Sequence, residues 1–296
     1  MNRTTQRNAS RVKDPFGEPL EPPDPETIHV AVQAALREDL GSGDLTATLV
    51  PAEQKARGEL HLREPAVVCG QAWFSACFRA LAPGVRVQWR VAEGERVDAP
   101  GVVAEVSGPV RAILSAERSA LNLLQTLSGT ATETARLVAL LAGGHSRLLD
   151  TRKTLPGLRA AQKYAVRCGG GYNHRLGLWD AVLIKENHIL ACGSIQVAVE
   201  RARTLGKGRW IEVETENLDD VDQALDAGAD VVMLDNFALE DLREAVGRIR
   251  GRAVSEASGN VTDDSLPEIA ATGVDYISVG GLTKNLRAID FSLRLV

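Results

Sequence analysis

Six short apolar runs in the second half of the chain are each followed by residues that can bind ions or phosphate groups. Cationic residues follow the first two runs, carboxylates follow the next two, and small, glycine-rich segments follow the last two. In chain order, the residues that follow the runs are Asp150-Thr151-Arg152-Lys153, Lys185, Glu214, Asp235-Asn236, Ser258-Gly259-Asn260 and Gly280-Gly281. Cations and glycine-rich turns bind anions, and paired carboxylates bind metal ions. The pattern therefore predicts a site for a multiply charged anion and a divalent cation.

Positive charge is concentrated between Arg147 and Arg175, where Asp150 is the only acid, although the whole chain has a net charge of -5. Such a local excess favours anion binding. Three of these cations fall on a predicted helix and are interpreted as its solvated face: Arg159, Lys163 and Arg167. Two pairs flank that helix and are predicted to contact the anion: Arg152-Lys153 and His174-Arg175. A run of three glycines before the second pair predicts a loop that can close over a ligand.

Glu214 and Asp235 follow neighbouring apolar runs, so their carboxylates are expected at adjacent strand ends. Mg²⁺ prefers oxygen ligands and commonly bridges one or two carboxylates to substrate phosphates, which predicts a magnesium site here. The alternative is that both acids form salt bridges to nearby lysines. Glu212 is expected to point away from Glu214 or to lie one layer earlier, and His188 is interpreted as structural.

Glycine-rich segments follow the last two apolar runs. In α/β barrels, a phosphate group commonly binds at the loops after the last two strands. Glycine has no side chain, so backbone N–H groups can approach an anion closely. The predicted phosphate-binding residues are Ser258, Gly259, Gly280 and Gly281.

These residues require a scaffold that brings strand ends together. The later apolar runs recur roughly every 22 residues, which is close to one strand–helix unit. Amphipathic segments fit the gaps between them, at Ser194–Leu205, Leu218–Ala227 and Leu239–Ile249. Strand–helix alternation predicts a parallel sheet, and six such runs predict an incomplete α/β barrel rather than a full one of eight units.

The first half of the chain has a different organisation. Residues 1–26 are polar and rich in proline, which predicts a disordered tail. A helical pattern then runs from Ile28 to Leu40, and alternating segments at 58–63 and 85–91 predict a small, mostly antiparallel sheet with a helix near 71–81. A long helix is predicted from Ser115 to about Leu141.

Composition excludes several classes of protein. The sequence pI is about 5.7, which disfavours a nucleic-acid-binding protein. No stretch reaches the ~20 apolar residues of a membrane span. The four cysteines show no zinc or redox spacing and are expected to be reduced thiols. We therefore expect a cytoplasmic enzyme that binds neither nucleic acid nor membrane.

Several segments together resemble the quinolinate phosphoribosyltransferase family. In the first half they are Glu38–Thr46 and Glu117–Asn122. In the second half they are Asp150–Thr154, Gly170–Arg175, Leu183–His188, Glu212–Glu214, Leu234–Phe237, Ala257–Asn260 and Val279–Thr283. Single fragments are weak signals, but the ordered set from Pro25 to Val296 is specific. Asn260 and Gly281 stand where the family often has glycine and alanine, which leaves the details of the phosphate loops open.

The resemblance implies an α/β fold, an N-terminal α/β sandwich plus an incomplete parallel α/β barrel. The sandwich would comprise residues 27–115 with 284–296, and the barrel residues 116–283. The enzyme would be a homodimer or a larger assembly in which Arg118 completes the neighbouring site. It would transfer a phosphoribosyl group from phosphoribosyl pyrophosphate to quinolinate with decarboxylation, in NAD biosynthesis.

The resemblance also implies a role for each matching residue. Arg152, His174 and Arg175 would bind the substrate carboxylates. Lys153 and Lys185 would lie near the carboxylate and phosphoribosyl groups. Glu214 and Asp235 would hold Mg²⁺ and the ribose. The 5′-phosphate would contact the glycine-rich segments Ser258-Gly259 and Gly280-Gly281.

Three alternatives remain at the level of the sequence. A nicotinate phosphoribosyltransferase would share the chemistry but recognise one carboxylate, and the number of cations favours the dicarboxylate. A non-catalytic phosphate-binding barrel would not need Lys153, Lys185, Glu214 and Asp235 together. A nucleic-acid module using the basic cluster would need interleaved aromatic residues, which that segment lacks.

Overall fold

The computed structural model describes residues 14–17, 21–141 and 143–296. They divide into two compact units. The parallel-sheet unit contains the described residues before 19, together with 140–149 and 175–279. The antiparallel-sheet unit contains 19–139, 150–174 and 280–296, as far as these are described.

The described helices and strands alternate along most of the chain. The strands are β1 (Lys55–Leu62), β2 (Ala66–Val67), β3 (Arg86–Trp89), β4 (Arg96–Val97), β5 (Gly101–Pro109), β6 (Arg147–Leu149), β7 (Val182–Ile184), β8 (Ile211–Thr215), β9 (Val231–Asp235), β10 (Val254–Ser258), β11 (Tyr276–Ser278) and β12 (Phe291–Leu295). The helices are α1 (Pro25–Leu40), α2 (Gln71–Leu81), α3 (Val110–Leu140), α4 (Arg159–Cys168), α5 (Glu186–Cys192), α6 (Ile195–Leu205), α7 (Leu218–Ala227), α8 (Leu239–Ile249), α9 (Ser265–Ala270) and α10 (Gly281–Lys284).

In the antiparallel-sheet unit, four strands pair in the order β12-β1-β5-β3. The last strand returns to the first, with Leu293 opposite Leu60. Large side chains of α2 are fully buried in the same core as β1 and β5, among them Trp73, Phe74 and Phe78. The expected sandwich with a returning C-terminal strand is therefore confirmed.

Helix α1 begins at Pro25, two residues before the predicted start of the sandwich domain. Asp24 is its N-cap, because the Asp24 side chain accepts a hydrogen bond of 3.0 Å from the backbone N–H of Thr27. Pro25 occupies the first helical turn, where a missing N–H costs nothing. Residues 25 and 26 therefore belong to this helix rather than to a disordered tail.

The parallel-sheet unit contains six parallel strands in the order β6-β11-β10-β9-β8-β7. Helices α6, α7 and α8 begin and end within one residue of the predicted segments. Strands β6 and β7 are the two ends of this order, and no pairing joins them among the described residues. The sheet is therefore an incomplete barrel, as predicted.

Described residues of the N-terminal segment pack within the parallel-sheet unit. Phe16 is only 4% exposed, and its ring lies edge-on to Trp210 and Tyr276 at centroid distances of 5.1 Å and 4.8 Å. The Tyr276 hydroxyl donates a hydrogen bond of 2.7 Å to Asp14. Residues 14–17 thus differ from the predicted disordered tail, because the Phe16 ring is buried against two aromatic side chains. Residues 1–13 and 18–20 lie outside the described part.

The division into units differs from the predicted boundary at residue 116. Most of α3 and all of α4 group with the antiparallel sheet rather than with the parallel one. Ala161 and Ala165 of α4 belong to the same buried core as α2 and α3, and Tyr164 packs against Trp73 with a ring-centroid distance of 5.7 Å. None of the described helices is both long and apolar enough to cross a membrane.

Candidate active site

Predicted site residues of the parallel-sheet unit lie at the carboxyl ends of its strands. Lys185 follows β7, and Glu214 is the penultimate residue of β8. Asp235 ends β9 and pairs in register with Ser258, which ends β10. Parallel strands bring their carboxyl ends to one edge of the sheet, so these four side chains start from the same edge.

The Lys185 ammonium forms an ion pair with the Glu214 carboxylate. The side chain of Lys185 is 47% exposed and that of Glu214 is 16% exposed, so the carboxylate is the more enclosed partner. This pair matches the salt-bridge alternative for Glu214 only, since Asp235 instead accepts a hydrogen bond of 2.7 Å from Asn236 Nδ2. The backbone N–H of Lys185 donates to His188 Nδ1 at 3.0 Å, and His188 thereby caps α5, in agreement with its structural interpretation.

Two glutamates lie inside the parallel sheet, below the strand ends. Glu212 and Glu256 are fully buried, and a carboxylate oxygen of each lies within 4.8 Å of the other. Burial raises the pKa of Glu212 to about 7, and the charge of the nearby Arg175 opposes that rise. Residues two apart on a strand share a face, so Glu212 lies on the face of Glu214, one layer earlier. Of the two alternatives for Glu212, the one that it points away was therefore wrong.

In the antiparallel-sheet unit, a buried network holds the backbone before the second cationic pair. Lys163 is 1% exposed and forms an ion pair with Asp150, which is fully buried. Asp150 also accepts hydrogen bonds from the backbone N–H of His174 at 2.9 Å and from Asn173 Nδ2 at 2.6 Å. Lys163 donates in turn to the His174 carbonyl at 2.8 Å. Burial raises the pKa of Asp150, and the Lys163 charge opposes that rise.

This network corrects the interpretation of Lys163 as part of a solvated helix face. Asp150 requires a buried positive partner, and α4 turns Lys163 towards it. The neighbouring Arg167 is half-buried, with its guanidinium 4.7 Å from the centre of the Tyr172 ring. The second cationic pair is therefore fixed by buried polar contacts on its N-terminal side.

Lys153 and Gly280 are brought together in the antiparallel-sheet unit. A Cβ atom on Gly280 would lie 2.9 Å from Lys153 Cδ, so any larger residue there would require the lysine stem to shift. The Thr283 hydroxyl donates to the Lys153 carbonyl at 2.8 Å, and the Lys153 N–H donates to Thr151 Oγ1 at 3.0 Å. Gly281 begins α10 directly after this contact. The first cationic pair and the last glycine pair thus belong to one local structure.

Two predicted arginines of this unit differ in their surroundings. Arg152 is partly buried, and its Nε atom is buried without a hydrogen-bond partner among the residues described. Its carbonyl accepts from Arg159 at 3.5 Å. Arg118 is exposed on α3. The role of Arg118 in a neighbouring subunit stays a prediction.

Three groups of site-related residues were missed in the sequence. Glu256 lies two residues before Ser258, and Glu212 lies two residues before Glu214. Because side chains two residues apart on a strand share a face, this spacing could have indicated the buried pair. The hydroxyl of Thr283 donates to the Lys153 carbonyl, and no pattern in the sequence pointed to this residue. The sulfur atoms of Cys69 and Cys168 lie within 4.8 Å of each other and of Glu93, although these residues are far apart in sequence.

Glu93 already has a structural role in that cysteine cluster. Its two carboxylate oxygens accept backbone hydrogen bonds from Gly70 at 2.7 Å and from Gln71 at 3.0 Å. The carboxylate thus satisfies N–H groups at the start of α2. Burial raises the pKa of the Cys69 thiol well above its usual range. The cluster is therefore accounted for by helix capping and packing.

Two family profiles match consecutive parts of the chain. The one described as "Quinolinate phosphoribosyl transferase, N-terminal domain" matches residues 44–128, and the one described as "Quinolinate phosphoribosyl transferase, C-terminal domain" matches residues 130–294. This chain belongs to the quinolinate phosphoribosyltransferase family. The predicted family is confirmed.

Individual members of the family are similar over most of their length. The probable nicotinate-nucleotide pyrophosphorylase [carboxylating] of Bacillus subtilis is 43% identical over 257 residues, covering 86% of this chain and 89% of that protein. The rat nicotinate-nucleotide pyrophosphorylase [carboxylating] is 39% identical and covers 92% of each chain. The structure of the Francisella tularensis nicotinate-nucleotide pyrophosphorylase matches with a TM-score of 0.91 and 45% identity, over 94% of this chain and 99% of that one.

Proposed function

We propose that this chain is a carboxylating nicotinate-nucleotide pyrophosphorylase. It transfers the phosphoribosyl group of phosphoribosyl pyrophosphate to the ring nitrogen of quinolinate and releases pyrophosphate and carbon dioxide. The product is nicotinate mononucleotide, a precursor of NAD. The observation that carries the proposal is the similarity to relatives of that name over about nine-tenths of the chain.

Acceptor recognition is assigned to cationic residues. Planar guanidinium groups bind carboxylates with two parallel hydrogen bonds, so Arg152 and Arg175 suit the two carboxylates of the acceptor. His174 is assigned to the same task, and its backbone is fixed by Asp150 and Lys163. A monocarboxylate such as nicotinate would leave part of this positive charge unpaired, which favours the dicarboxylate.

Donor recognition is assigned to the acids and glycines at the strand ends. Glu214 and Asp235 offer carboxylate oxygens from adjacent strands, a donor set that fits Mg²⁺. The bound ion would neutralise charge on the pyrophosphate leaving group. Ser258, Gly259, Gly280 and Gly281 are assigned to the 5′-phosphate. The contact between Lys185 and Glu214 keeps the ammonium at the strand ends, which supports its assignment to an anionic substrate.

The chemistry then needs positioned charge rather than a general base. Departure of pyrophosphate leaves an oxocarbenium-like sugar, and the lone pair of the pyridine nitrogen attacks it directly. Lys153 and Lys185 stabilise the developing negative charge of the leaving group, because preorganised charges need no rearrangement during the reaction. Alkylation makes the ring nitrogen positive, and this charge stabilises the electron pair left on the adjacent ring carbon when carbon dioxide leaves. A proton from solvent then bonds to that carbon in place of the lost carboxylate.

The proposal includes a homodimer, or an assembly of dimers, in which Arg118 of one subunit reaches the acceptor bound by the other. Its support is that Arg118 is exposed on α3, whereas Ser119 and Ala120 next to it are buried. An Arg118→Ala subunit mixed with an Arg175→Ala subunit tests the shared site. Recovery of activity on mixing would support it, because one intact site forms in each mixed dimer. No recovery despite demonstrated subunit exchange would contradict it.

The activity is tested by incubating the purified protein with quinolinate, phosphoribosyl pyrophosphate and Mg²⁺, and by measuring nicotinate mononucleotide and carbon dioxide. Product that requires all three components is the expected result. Product from nicotinate but not from quinolinate would show that the chain is a nicotinate phosphoribosyltransferase instead. No product from either acceptor would favour the second alternative, a non-catalytic phosphate-binding barrel. Arg175→Ala should raise the KM of quinolinate or abolish turnover, whereas the exposed Arg209→Ala serves as the matched control.

A further inference from the structure

Two asparagines have an unusual backbone conformation at the ends of neighbouring strands. Asn236 follows β9 with φ of 57°, and Asn260 follows β10 and Gly259 with φ of 43°. They are the non-glycine residues with positive φ in the described part of the chain. This left-handed region costs energy for most L-residues, and asparagine tolerates it better than most. Such conformations collect where a structure uses them for function.

The Asn236 residue contacts both predicted donor-binding segments. Its Nδ2 group donates a hydrogen bond of 2.7 Å to Asp235 Oδ2. Its backbone N–H donates a hydrogen bond of 2.9 Å to the Ser258 carbonyl. The left-handed turn at Asn236 allows both contacts, since the backbone N–H points to the neighbouring strand while the side chain returns to Asp235.

The amide group of Asn236 also packs directly on Gly259. A Cβ atom built on Gly259 would lie 2.2 Å from Asn236 Oδ1, closer than any side chain could come. Asn260 Nδ2 donates a hydrogen bond of 3.2 Å to the same Oδ1 atom. The Asn260 contact fixes which end of the Asn236 amide faces Asp235, because Oδ1 is the acceptor and Nδ2 is the donor.

We propose that Asn236 is a positioning residue for the phosphoribosyl donor, which orients the Asp235 carboxylate and holds the Ser258-Gly259 turn in place, with Asn260 fixing the orientation of its amide. The inference rests on the proposed function, which assigns Asp235 and the Ser258-Gly259 turn to the donor. It adds two residues to that site and connects its carboxylate to its phosphate-binding turn. A hydrogen bond to an ionised carboxylate is stronger than one between neutral groups, so the Asp235 contact can restrict rotation of that side chain.

The test separates positioning from stability. Asn236→Gly removes the amide, but glycine adopts positive φ without strain, so the unfolding temperature should fall only slightly. We expect the KM of phosphoribosyl pyrophosphate to rise about tenfold, in line with the loss of a hydrogen bond to a charged group. The KM of quinolinate should differ from the wild-type value by no more than about twofold. Asn260→Gly keeps Asn236 and should give a smaller increase for the donor.

A binding measurement without metal or turnover completes the test. Ribose 5-phosphate, titrated calorimetrically into the wild type and Asn236→Gly in the absence of Mg²⁺, should bind more weakly to the variant. Unchanged donor KM and unchanged ribose 5-phosphate affinity in Asn236→Gly would overturn the inference. Equal increases in both substrate KM values with a lower unfolding temperature would also overturn it, since Asn236 would then be structural. A wild type that binds ribose 5-phosphate but forms no product would contradict the proposed function instead.

Discussion

Lys163 should be essential for stability, because its ammonium is the charged partner of a carboxylate that is fully buried. In Lys163→Met, Asp150 keeps the hydrogen bonds from His174 N–H and Asn173 Nδ2 but loses its positive partner. Breaking a buried ion pair at one end costs about 3–5 kcal/mol. Proteins have only about 5–15 kcal/mol of net stability, so this is a large fraction of the total.

A double-mutant cycle measures the interaction itself. Asp150→Asn alone leaves the Lys163 ammonium buried and should be destabilising by a similar amount. The combination with Lys163→Met removes both charges, so the loss should be about 2 kcal/mol smaller than the sum of the single losses. Urea unfolding gives the free energies, because stability falls linearly with denaturant concentration.

The same substitution should affect acceptor binding. Lys163 holds the carbonyl of His174, and its loss should raise the KM of quinolinate about tenfold, or ~1.4 kcal/mol. Lys207→Met is the matched control, because Lys207 is exposed, and it should change stability by less than about 0.5 kcal/mol. A loss below about 1 kcal/mol for Lys163→Met, or strict additivity in the cycle, would refute the reasoning.

Three further predictions concern packing, backbone conformation and thiol chemistry. Phe16→Ala should lower the free energy of unfolding by about 3 kcal/mol, because the buried ring beside Trp210 is lost; urea unfolding measures it. Gly259→Ala should raise the KM of phosphoribosyl pyrophosphate at least tenfold, because φ is 102° and the new methyl group would clash with Asn236; steady-state kinetics measures it. A chromogenic disulfide reagent should detect at most two of the four thiols in the native protein and all four after unfolding, since Cys69 and Cys77 are fully buried.

Each of these predictions has a control. Phe16→Leu should keep most of the packing, and equal losses for leucine and alanine would contradict it. Gly247→Ala is the counterpart of Gly259→Ala, because Gly247 lies in α8 with open space around it, and it should stabilise the helix by about 0.5–1 kcal/mol. Burial raises the pKa of Cys77 to about 12, so reaction of this thiol in the native state at pH 8 would show that the core opens.

Sequence alone determined which polar residues follow the strands. Apolar runs at the spacing of a strand–helix unit predict parallel strands, and parallel strands place the residues that follow them at one edge. Lys185, Glu214, Asp235 and Ser258 could therefore be assigned to that edge without a structure. The pattern works because it depends on local periodicity, which each segment carries in itself.

Only the tertiary structure decided which polar residues are buried and which partners they meet. The sequence indicated a solvated helix position for Lys163, but in the structure this residue forms an ion pair with Asp150. The sequence also placed Phe16 in a polar tail, but its ring packs against Trp210 and Tyr276. The helical and strand periodicities of apolar residues predict which residues share a face. They do not state what that face packs against, because the partners lie far apart along the chain and are brought together only when the core forms.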